Sequence, residues 1–307
     1  MKRQPALAIT SYLTIYLVWG STYFFIRQAV LTMPPLWVLA ARWLIGGALL
    51  LGFAAARGAL KPLPSPRAVL SSVVLGSLLI LGGNGLITVA EQHLDSYLAA
   101  LLASSTPILV AVIDPLLLGK RLTFSRVLGV AFGFVGVAVL LYNGHSLAGS
   151  LNPSVLIGLA GVVSWSFATS LGHRFPVSGD NTVNSGIQML FVGLVSLAAG
   201  LVTGPSPSTA VAHASTLSLV SVVYLGVLGS LAFAAYTWLV QAEPAERVVS
   251  YALVNPLIAL FLGLALAAET PTPYLGVGVP VILVGLGFML YGERLFAWLR
   301  GRARSGG

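Results

Sequence analysis

The chain has 307 residues, of which 57% are hydrophobic and 8% are charged, and its formal net charge is +8. This charged fraction is far below the roughly 25% of an ordinary globular protein, so the composition excludes a soluble domain. The chain contains no cysteine, which excludes disulfides, thiol catalysis and cysteine-ligated metals. Its basic residues lie in short stretches between apolar runs, which is typical of membrane orientation and not of nucleic-acid binding.

Ten apolar segments follow one another along the chain. Lys2 and Arg3 precede the first, which is of span length and lacks a convincing small-residue cleavage site, so we interpret it as a retained span and not as a signal peptide. Each segment has about the twenty residues that a helix needs to cross a membrane, and the weak alternation of the sequence gives no case for a barrel. The sequence therefore predicts an all-α polytopic membrane protein with ten transmembrane helices at 8–28, 36–55, 68–90, 96–118, 124–142, 154–173, 182–203, 217–241, 248–268 and 273–292.

The distribution of Lys and Arg predicts the orientation. With the N-terminus inside, the inner loops and termini hold 14 of the 16 basic residues. The two exceptions are Arg27, at the outer end of the first span, and Arg42, inside the second. The positive-inside rule thus predicts that both termini are cytoplasmic.

The chain contains an internal duplication with an offset of 149 residues. The stretch 106–142 aligns without a gap on 255–291, pairing Pro107 with Pro256 and Tyr142 with Tyr291. Such a period indicates two duplicated halves, which we place at 1–146 and 147–307. Because each half has five spans, the second must be inverted relative to the first. Inverted repeats are typical of secondary transporters, whose substrate site lies near the midplane.

Several polar and aromatic residues fall near the middle of the predicted spans. Trp19 and Trp165 either line a cavity or pack the core. Asn84 and Asn255 either contact a ligand or join helices by hydrogen bonds. The hydroxyl groups near residue 105 either face the cavity or bond to their own helix. Ser104, Thr106 and Ser164 belong to the same set. Our hypothesis for the substrate-binding residues is Trp19, Asn84, Ser105, Trp165, Tyr236, Tyr251 and Asn255.

Pro107 and Pro256 each remove a backbone donor in the middle of a span, so we expect a kink at both. Each is interpreted as a hinge for alternating access, with a fixed bend as the alternative.

The charged residues near the outer side have open roles. Arg42 either binds a substrate carboxylate or extends outward as an anchor. Glu91 and Asp95 are expected to be solvated in the outer turn. No carboxylate lies at the midplane, so a carboxylate proton relay has little support in the sequence. Asp114 is expected to pair with Lys120 or Arg121, and Trp37, Trp43 and Trp298 to lie at headgroup depth.

Glycines in the fifth and tenth spans make small-residue faces, which we expect to pack against each other within one molecule; a homodimer contact is the lesser alternative. No nucleotide-binding loop, paired-carboxylate, HExxH or GxSxG pattern is present. We therefore expect no enzyme activity, no cofactor and no metal site. The expected partners are a small-molecule substrate and the lipid bilayer, with no nucleic acid, and the chain is expected to be monomeric.

Trp19-Gly20-Ser21-Thr22, Arg42-Trp43, Thr106-Pro107 followed by Gly119-Lys120-Arg121-Leu122-Thr123, and Asn255-Pro256 followed by Glu269 resemble the two EamA-type repeats of the drug/metabolite transporter superfamily. Within it, the chain is similar to the YddG-type amino-acid exporters. The resemblance implies two inverted five-helix repeats, a central cavity, and export of amino acids or related metabolites from a bacterial inner membrane. Lys120 stands where the family usually has an acidic residue, whereas the second repeat has Glu269.

Three hypotheses follow. The first is export of neutral or aromatic amino acids and similar solutes by alternating access. The second keeps the fold and changes the cargo to drugs, nucleobases or other metabolites. The third, from a different class, is a membrane-embedded enzyme or scaffold.

Overall fold

The computed structural model describes residues 5–119, 123–141, 153–242 and 251–305, and within these ranges it contains helices and no strand. We number the α-helices in chain order. They are α1 Pro5–Thr14, α2 Gly20–Val30, α3 Pro35–Ala56, α4 Pro66–Gly76, α5 Leu86–Ala90, α6 Ser96–Ala103, α7 Thr106–Leu118, α8 Phe124–Leu141, α9 Pro153–Leu171, α10 Asn181–Thr203, α11 Pro207–Ala212, α12 Thr216–Ala242, α13 Tyr251–Leu266 and α14 Leu275–Ser305.

Eight helical segments in the described part of the chain are long and apolar enough to cross a membrane. They correspond to eight of the ten predicted spans. The predicted spans 124–142 and 248–268 correspond to the shorter apolar stretches Phe124–Val139 and Val254–Leu266, beside residues outside the described ranges. The last helix, α14, extends beyond the predicted end of its span to Ser305. The structure thus supports a polytopic helical membrane protein.

Two of the spans change from α-helix to π-helix midway. Residues Ile15–Trp19 connect α1 to α2 in this conformation, and residues Ser77–Gly85 connect α4 to α5. A π-helical turn is rare, forms wider i→i+5 hydrogen bonds, and occurs often at functional sites. Both segments carry a residue of the proposed binding set, Trp19 in the first and Asn84 in the second.

The two repeat-related prolines lie in different local structures. The fourth span is interrupted at Ser104 and Ser105, and Pro107 lies in the first turn of the new helix α7, where a missing donor is tolerated. Pro256 lies inside α13, which continues through it. The proline pair therefore marks a helix break in one half and an uninterrupted helix in the other.

Close contacts at glycine join the spans. A Cβ added at Gly47 of α3 would lie 2.7 Å from the backbone nitrogen of Leu190 in α10, and one added at Gly193 of α10 would lie 2.7 Å from the backbone nitrogen of Leu44. These two helices come from opposite halves of the chain. Backbone approach at small residues is the usual way to pack helices in a membrane.

The predicted contact between the glycine faces of the fifth and tenth spans is confirmed. A Cβ at Gly285 of α14 would lie 2.8 Å from the backbone nitrogen of Gly133 in α8, and one at Gly136 would lie 2.8 Å from the nitrogen of Ile282. The two helices therefore pack backbone to backbone within the chain.

Two of the three tryptophans predicted to lie at headgroup depth face the protein and not the lipid. Trp37 and Trp43 are buried in the protein, and the indole nitrogen of Trp37 donates to the backbone oxygen of Pro205 at 3.2 Å. Trp298 is 53% exposed. Lys120, Arg121 and Tyr142 lie outside the described residues, so the predicted pairing of Asp114 with either of the first two is not described.

Candidate functional site

A cavity lies in the middle of the helical bundle and is lined by both halves of the chain. It holds about 760 Å³ of space free of protein atoms, counting its open mouth. Five of the seven proposed binding residues line it, namely Trp19, Asn84, Trp165, Tyr251 and Asn255.

One wall of the cavity is aromatic. The ring of Trp19 lies 4.9 Å from that of Tyr236, 5.2 Å edge-on from that of Tyr251, and 6.2 Å from that of Phe233, between centroids. Such contacts hold the rings in fixed orientations, because tilted and edge-to-face pairs are favoured over face-to-face stacking. Trp165 lies on another side, against Gly83, where a Cβ would come within 3.0 Å of the indole ring.

A single guanidinium group lines the polar side of this cavity. Arg42 is 4% exposed, its Nη1 donates to Asn84 Oδ1 at 2.9 Å, and its guanidinium carbon lies 4.2 Å from the centre of the Trp43 ring. Its Nε has no hydrogen-bond partner in the described structure. The alternative that Arg42 extends outward as an anchor is therefore wrong.

Asn84 and Asn255 differ in what their amides contact. Asn84 joins two helices through its bond to Arg42 and also lines the cavity, so the two interpretations of that residue coexist. The amide of Asn255 fits its surroundings when its nitrogen donates to the backbone oxygens of Tyr16 and Tyr251, each at 3.3 Å. That orientation leaves its oxygen as an acceptor.

Of the remaining hydroxyl candidates, three bond to backbone oxygens and one lines the cavity. Ser104 and Ser105 donate to backbone oxygens three residues earlier in their own helix, at 2.7 and 2.6 Å, and neither lines the cavity. Ser164 donates to the backbone oxygen of Leu78 at 2.8 Å and so joins two helices. Thr106 does line the cavity.

A second cavity continues from the first towards the opposite end from Glu91. It is bounded by Trp165 and Phe233, which also line the first cavity, and by Tyr236 and Gln188. It reaches Gly172 and Asn181, which lie at the connection between α9 and α10. Following the predicted orientation, we call this end inner and the Glu91 end outer. Trp165 and Phe233 thus separate two consecutive spaces along the bundle.

The carboxylate at the outer end is not solvated, so that expectation for Glu91 is wrong. Glu91 is 0% exposed and its two carboxylate oxygens have no hydrogen-bond partner in the part of the chain that the structure describes. Burial and the nearby negative charge of Glu269 raise its pKa well above the usual range, against the opposing effect of Arg27 and Arg42. Burial also raises the pKa of Asp95, which is partly exposed.

Sequence reasoning missed Thr22, Tyr23, Trp43 and Gly161 as lining residues. Tyr23 follows Trp19 by one helical turn, so helical spacing was a usable signal. No such signal was available for Trp43, because the sequence does not show whether its side chain faces the cavity. Within the described ranges, no group of three or more His, Asp or Glu side chains is arranged to hold a metal ion.

Comparison with known proteins places this architecture. A solved crystal structure superposes with a TM-score of 0.67, covering 94% of this chain and 98% of that one at 21% identity, which shows a shared fold. The chain is 35% identical over 284 residues to the uncharacterized inner membrane transporter YedA of Escherichia coli strain K12, covering 90% of each. It is 29% identical over 294 residues to the uncharacterized transporter YvbV of Bacillus subtilis strain 168, covering 93% of this chain and 92% of that protein.

One protein-family model matches the chain twice. It matches residues 6–142 and again residues 152–291, and together the two matches cover most of the sequence. The central cavity, the membrane-spanning helices and these two matches all fit a transport protein. The chain belongs to the EamA-like transporter family.

Proposed function

We propose that this protein exports neutral or aromatic amino acids and related small metabolites across a bacterial inner membrane by alternating access. The observation that carries this proposal is a buried guanidinium, Arg42, in the wall of a cavity that several aromatic rings also line. Among the described residues Arg42 forms no salt bridge, and such a cation favours an anionic group on the substrate. Indole and phenol rings favour an apolar or aromatic side chain.

The chemistry of the lining residues suggests how a zwitterion would bind. Its carboxylate would accept hydrogen bonds from Arg42, whose Nε is free for it, and from the amide nitrogen of Asn84. Its ammonium group would donate to the amide oxygen of Asn255 or to the hydroxyl of Thr106. Its side chain would pack between Trp19 and Trp165.

The transport path that we propose runs through both cavities. It uses ten helices in two inverted five-helix halves, 1–146 and 147–307, with both termini cytoplasmic. Arg42 lies 23 residues after Trp19, and Gln188 lies 23 residues after Trp165. In this arrangement the two residues serve opposite ends, since Arg42 lines the first cavity and Gln188 the second. Of the two repeat-related prolines, Pro107 is the one that we propose as a hinge, because the helix is interrupted just before it, whereas Pro256 lies in an intact helix.

Counterflow in proteoliposomes tests the placement of the aromatic residues. We expect Trp19→Ala and Trp165→Ala to reduce counterflow of labelled tryptophan or phenylalanine by about tenfold, which corresponds to about 1.4 kcal/mol of lost binding. Trp298→Ala is the matched control, because Trp298 is exposed and far along α14. Unchanged counterflow of every amino acid in both cavity variants would show that the substrate does not contact this wall.

A pair of solutes tests the carboxylate. Tryptophan and tryptamine share the indole and the amine, and only tryptophan has a carboxylate. We expect tryptophan to compete in the wild type and tryptamine not to, and Arg42→Gln to reduce this discrimination. If tryptamine, nucleobases or uncharged drugs compete equally well, the cargo is a different metabolite class on the same fold, which is the second hypothesis.

A further inference from the structure

The outer end of the first cavity is closed by a turn between α5 and α6 that is held by α2 and by the loop before α14. Arg27 of α2 donates through Nη1 to the backbone oxygens of Glu91 and Gln92, at 2.5 and 2.7 Å. Glu91 lies one helical turn beyond Ile87, which lines the cavity, because its nitrogen donates to the backbone oxygen of Ile87 at 2.9 Å. The carboxyl group of Glu91 is therefore enclosed between the cavity and the outer surface.

The same turn is joined to the loop that precedes α14. Glu269 accepts hydrogen bonds from the backbone nitrogens of Ser96 and Tyr97, at 2.9 and 3.4 Å, and so caps the N-terminus of α6. The hydroxyl of Tyr97 donates to the backbone oxygen of Thr270 and accepts from the nitrogen of Thr272, at 3.1 Å each. These contacts connect the two halves of the chain across the outer end.

Glu269 reaches this position because of the backbone at the end of α13. Ala268 has a φ of 51°, and the nitrogen of Glu269 donates to the backbone oxygen of Gly263 at 3.1 Å. A residue in the left-handed conformation commonly ends a helix and reverses the chain, and here the bond back to Gly263 holds Glu269 against the end of α13. A Cβ on Gly263 would overlap the carboxylate of Glu269, so a larger residue there would displace that side chain.

The buried carboxyl of Glu91 lacks the partners that an ionised form needs. Both of its oxygens are without a hydrogen bond in the described structure, although the side chain is fully buried. Removing an ionised carboxylate from water without hydrogen bonds is far more costly than removing the neutral acid. The closed arrangement therefore suits a protonated Glu91.

The charges around Glu91 favour the same form. The helix α9, which packs against α5, carries no titratable side chain. Two cations and three carboxyl groups gather at the outer end, so protonation of one carboxyl makes the group neutral. The titratable groups that face Glu91 or its turn are Tyr23 and Arg27 of α2, Arg42 of α3, Asp95 and Tyr97 at the start of α6, and Glu269 of the loop before α14. The turn itself also contains His93, which is exposed.

We propose that Glu91 is a proton-binding site and that its protonated form stabilises the state in which the outer end of the cavity is closed. Opening of the outer end would hydrate the carboxyl group and release the proton to the outer water. This role depends on the alternating access of the proposed function and not on which solute is carried.

The sign of the pH dependence follows from the higher pKa of the closed state. The closed state binds the proton more tightly than the hydrated open state, so protonation favours closure. This stabilisation is fully present below the usual carboxyl pKa of about 4.3. It is lost as the pH rises through the raised pKa of Glu91 in the closed state. Raising the outer pH is therefore expected to open the outer end.

Cysteine labelling measures this opening directly, because the chain has no cysteine of its own. Ile87→Cys would introduce one thiol in the cavity wall, and a membrane-impermeant maleimide would be added outside liposomes that contain the protein in one orientation. Leu31→Cys, at a position that is 53% exposed beyond α2, corrects for the pH dependence of the thiol itself. Neither measurement requires a substrate.

We expect the corrected labelling rate of Ile87→Cys to rise by roughly tenfold or more with outer pH, since one proton changes a population by at most about tenfold per pH unit. In the Glu91→Gln background, which imitates the neutral acid, the rate should stay low at every pH. An equal rise in that background, or no rise with native Glu91, would overturn the proposal.

A second variant covers the case in which Glu91→Gln does not fold. Glu269→Gln keeps an oxygen that can accept from α6 and removes the negative charge that raises the pKa of Glu91. We expect its labelling midpoint to shift to lower pH, and an unchanged midpoint would contradict the model. If labelling behaves as expected while Trp19→Ala and Trp165→Ala transport normally, the proton site stands and the proposed substrate site fails.

Discussion

The contact between α9 and the π-helical segment 77–85 gives the sharpest test of how the cavity wall is built. Gly161 of α9 lines the cavity, and a Cβ placed on it would lie 2.8 Å from the backbone oxygen of Gly83. An ordinary carbon to oxygen contact is about 3.3 Å or longer. Gly161→Ala therefore requires the two backbones to separate by about 0.5 Å, and it moves the residue next to Asn84.

The expected magnitude follows from two opposing terms. Alanine in place of glycine stabilises a helix by about 1 kcal/mol, whereas overpacking against fixed backbone costs about 1–3 kcal/mol. The net effect of Gly161→Ala is a loss of about 0–2 kcal/mol.

Gly158 is the matched control on the same helix, one turn earlier. A Cβ there would lie 3.2 Å from a terminal methyl carbon of Leu102, a side chain that can rotate away. Gly158→Ala should gain up to about 1 kcal/mol. The free energies of unfolding of the two variants should therefore differ by about 1–3 kcal/mol. The helix propensity contributes equally to both variants and does not affect this difference.

Thermal unfolding in detergent, followed by tryptophan fluorescence, measures this difference. For a chain of this size it corresponds to a Tm difference of roughly 2–6 °C. Counterflow in liposomes should fall by up to about tenfold in Gly161→Ala and stay near the wild-type rate in Gly158→Ala. Equal Tm values for the two variants would refute the close contact between α9 and the π-helical segment.

Three further predictions concern the remaining helix contacts, each measured by thermal unfolding in detergent. Gly285→Ala should lower the Tm by more than Gly287→Ala, because a Cβ at the first would press on the backbone of α8 and one at the second meets nothing within 4 Å; equal effects would refute the packing of α8 on α14. Ala268→Gly should stabilise the protein by about 1 kcal/mol, because Ala268 has a φ of 51° and glycine adopts this left-handed conformation without strain. A lower Tm would contradict this helix ending. Asp180→Ala should destabilise by about 1 kcal/mol more than Arg57→Ala, because Asp180 both caps α10 and pairs with Arg57 at 2.6 Å; equal losses would show that the cap contributes nothing.

The membrane-spanning pattern could be predicted from the sequence because it depends on composition alone. About twenty apolar residues in lipid have no stable alternative to a helix when the barrel alternation is absent. The same linear argument placed Trp19, Asn84, Trp165, Tyr251 and Asn255 at the depth where the structure places the cavity. Distance along a helix converts to depth in the membrane, and the sequence contains that distance.

The direction in which each side chain faces depends on the neighbouring helices, which the sequence does not specify. Ser105 belongs to the hypothesised substrate-binding set, with a bond to its own helix as the alternative, and the structure shows that bond. Tyr236 contacts Trp19 but belongs to the second cavity. Rotation of a helix about its axis decides both outcomes, and the π-helical segments change that rotation midway along a span.

Burial of charge was determined by tertiary structure even more completely. By sequence position, Glu91 is a turn residue between two spans, and Arg42 is a residue close enough to the surface to extend outward. The structure encloses both, because Arg27 closes the turn over Glu91 and Asn84 holds Arg42 in the cavity. The sequence by itself determined that this chain crosses the membrane many times and where its polar residues lie in depth. Only the packing of α2, α3 and the turn before α6 decided which of those residues are removed from water, because burial depends on several distant segments at once.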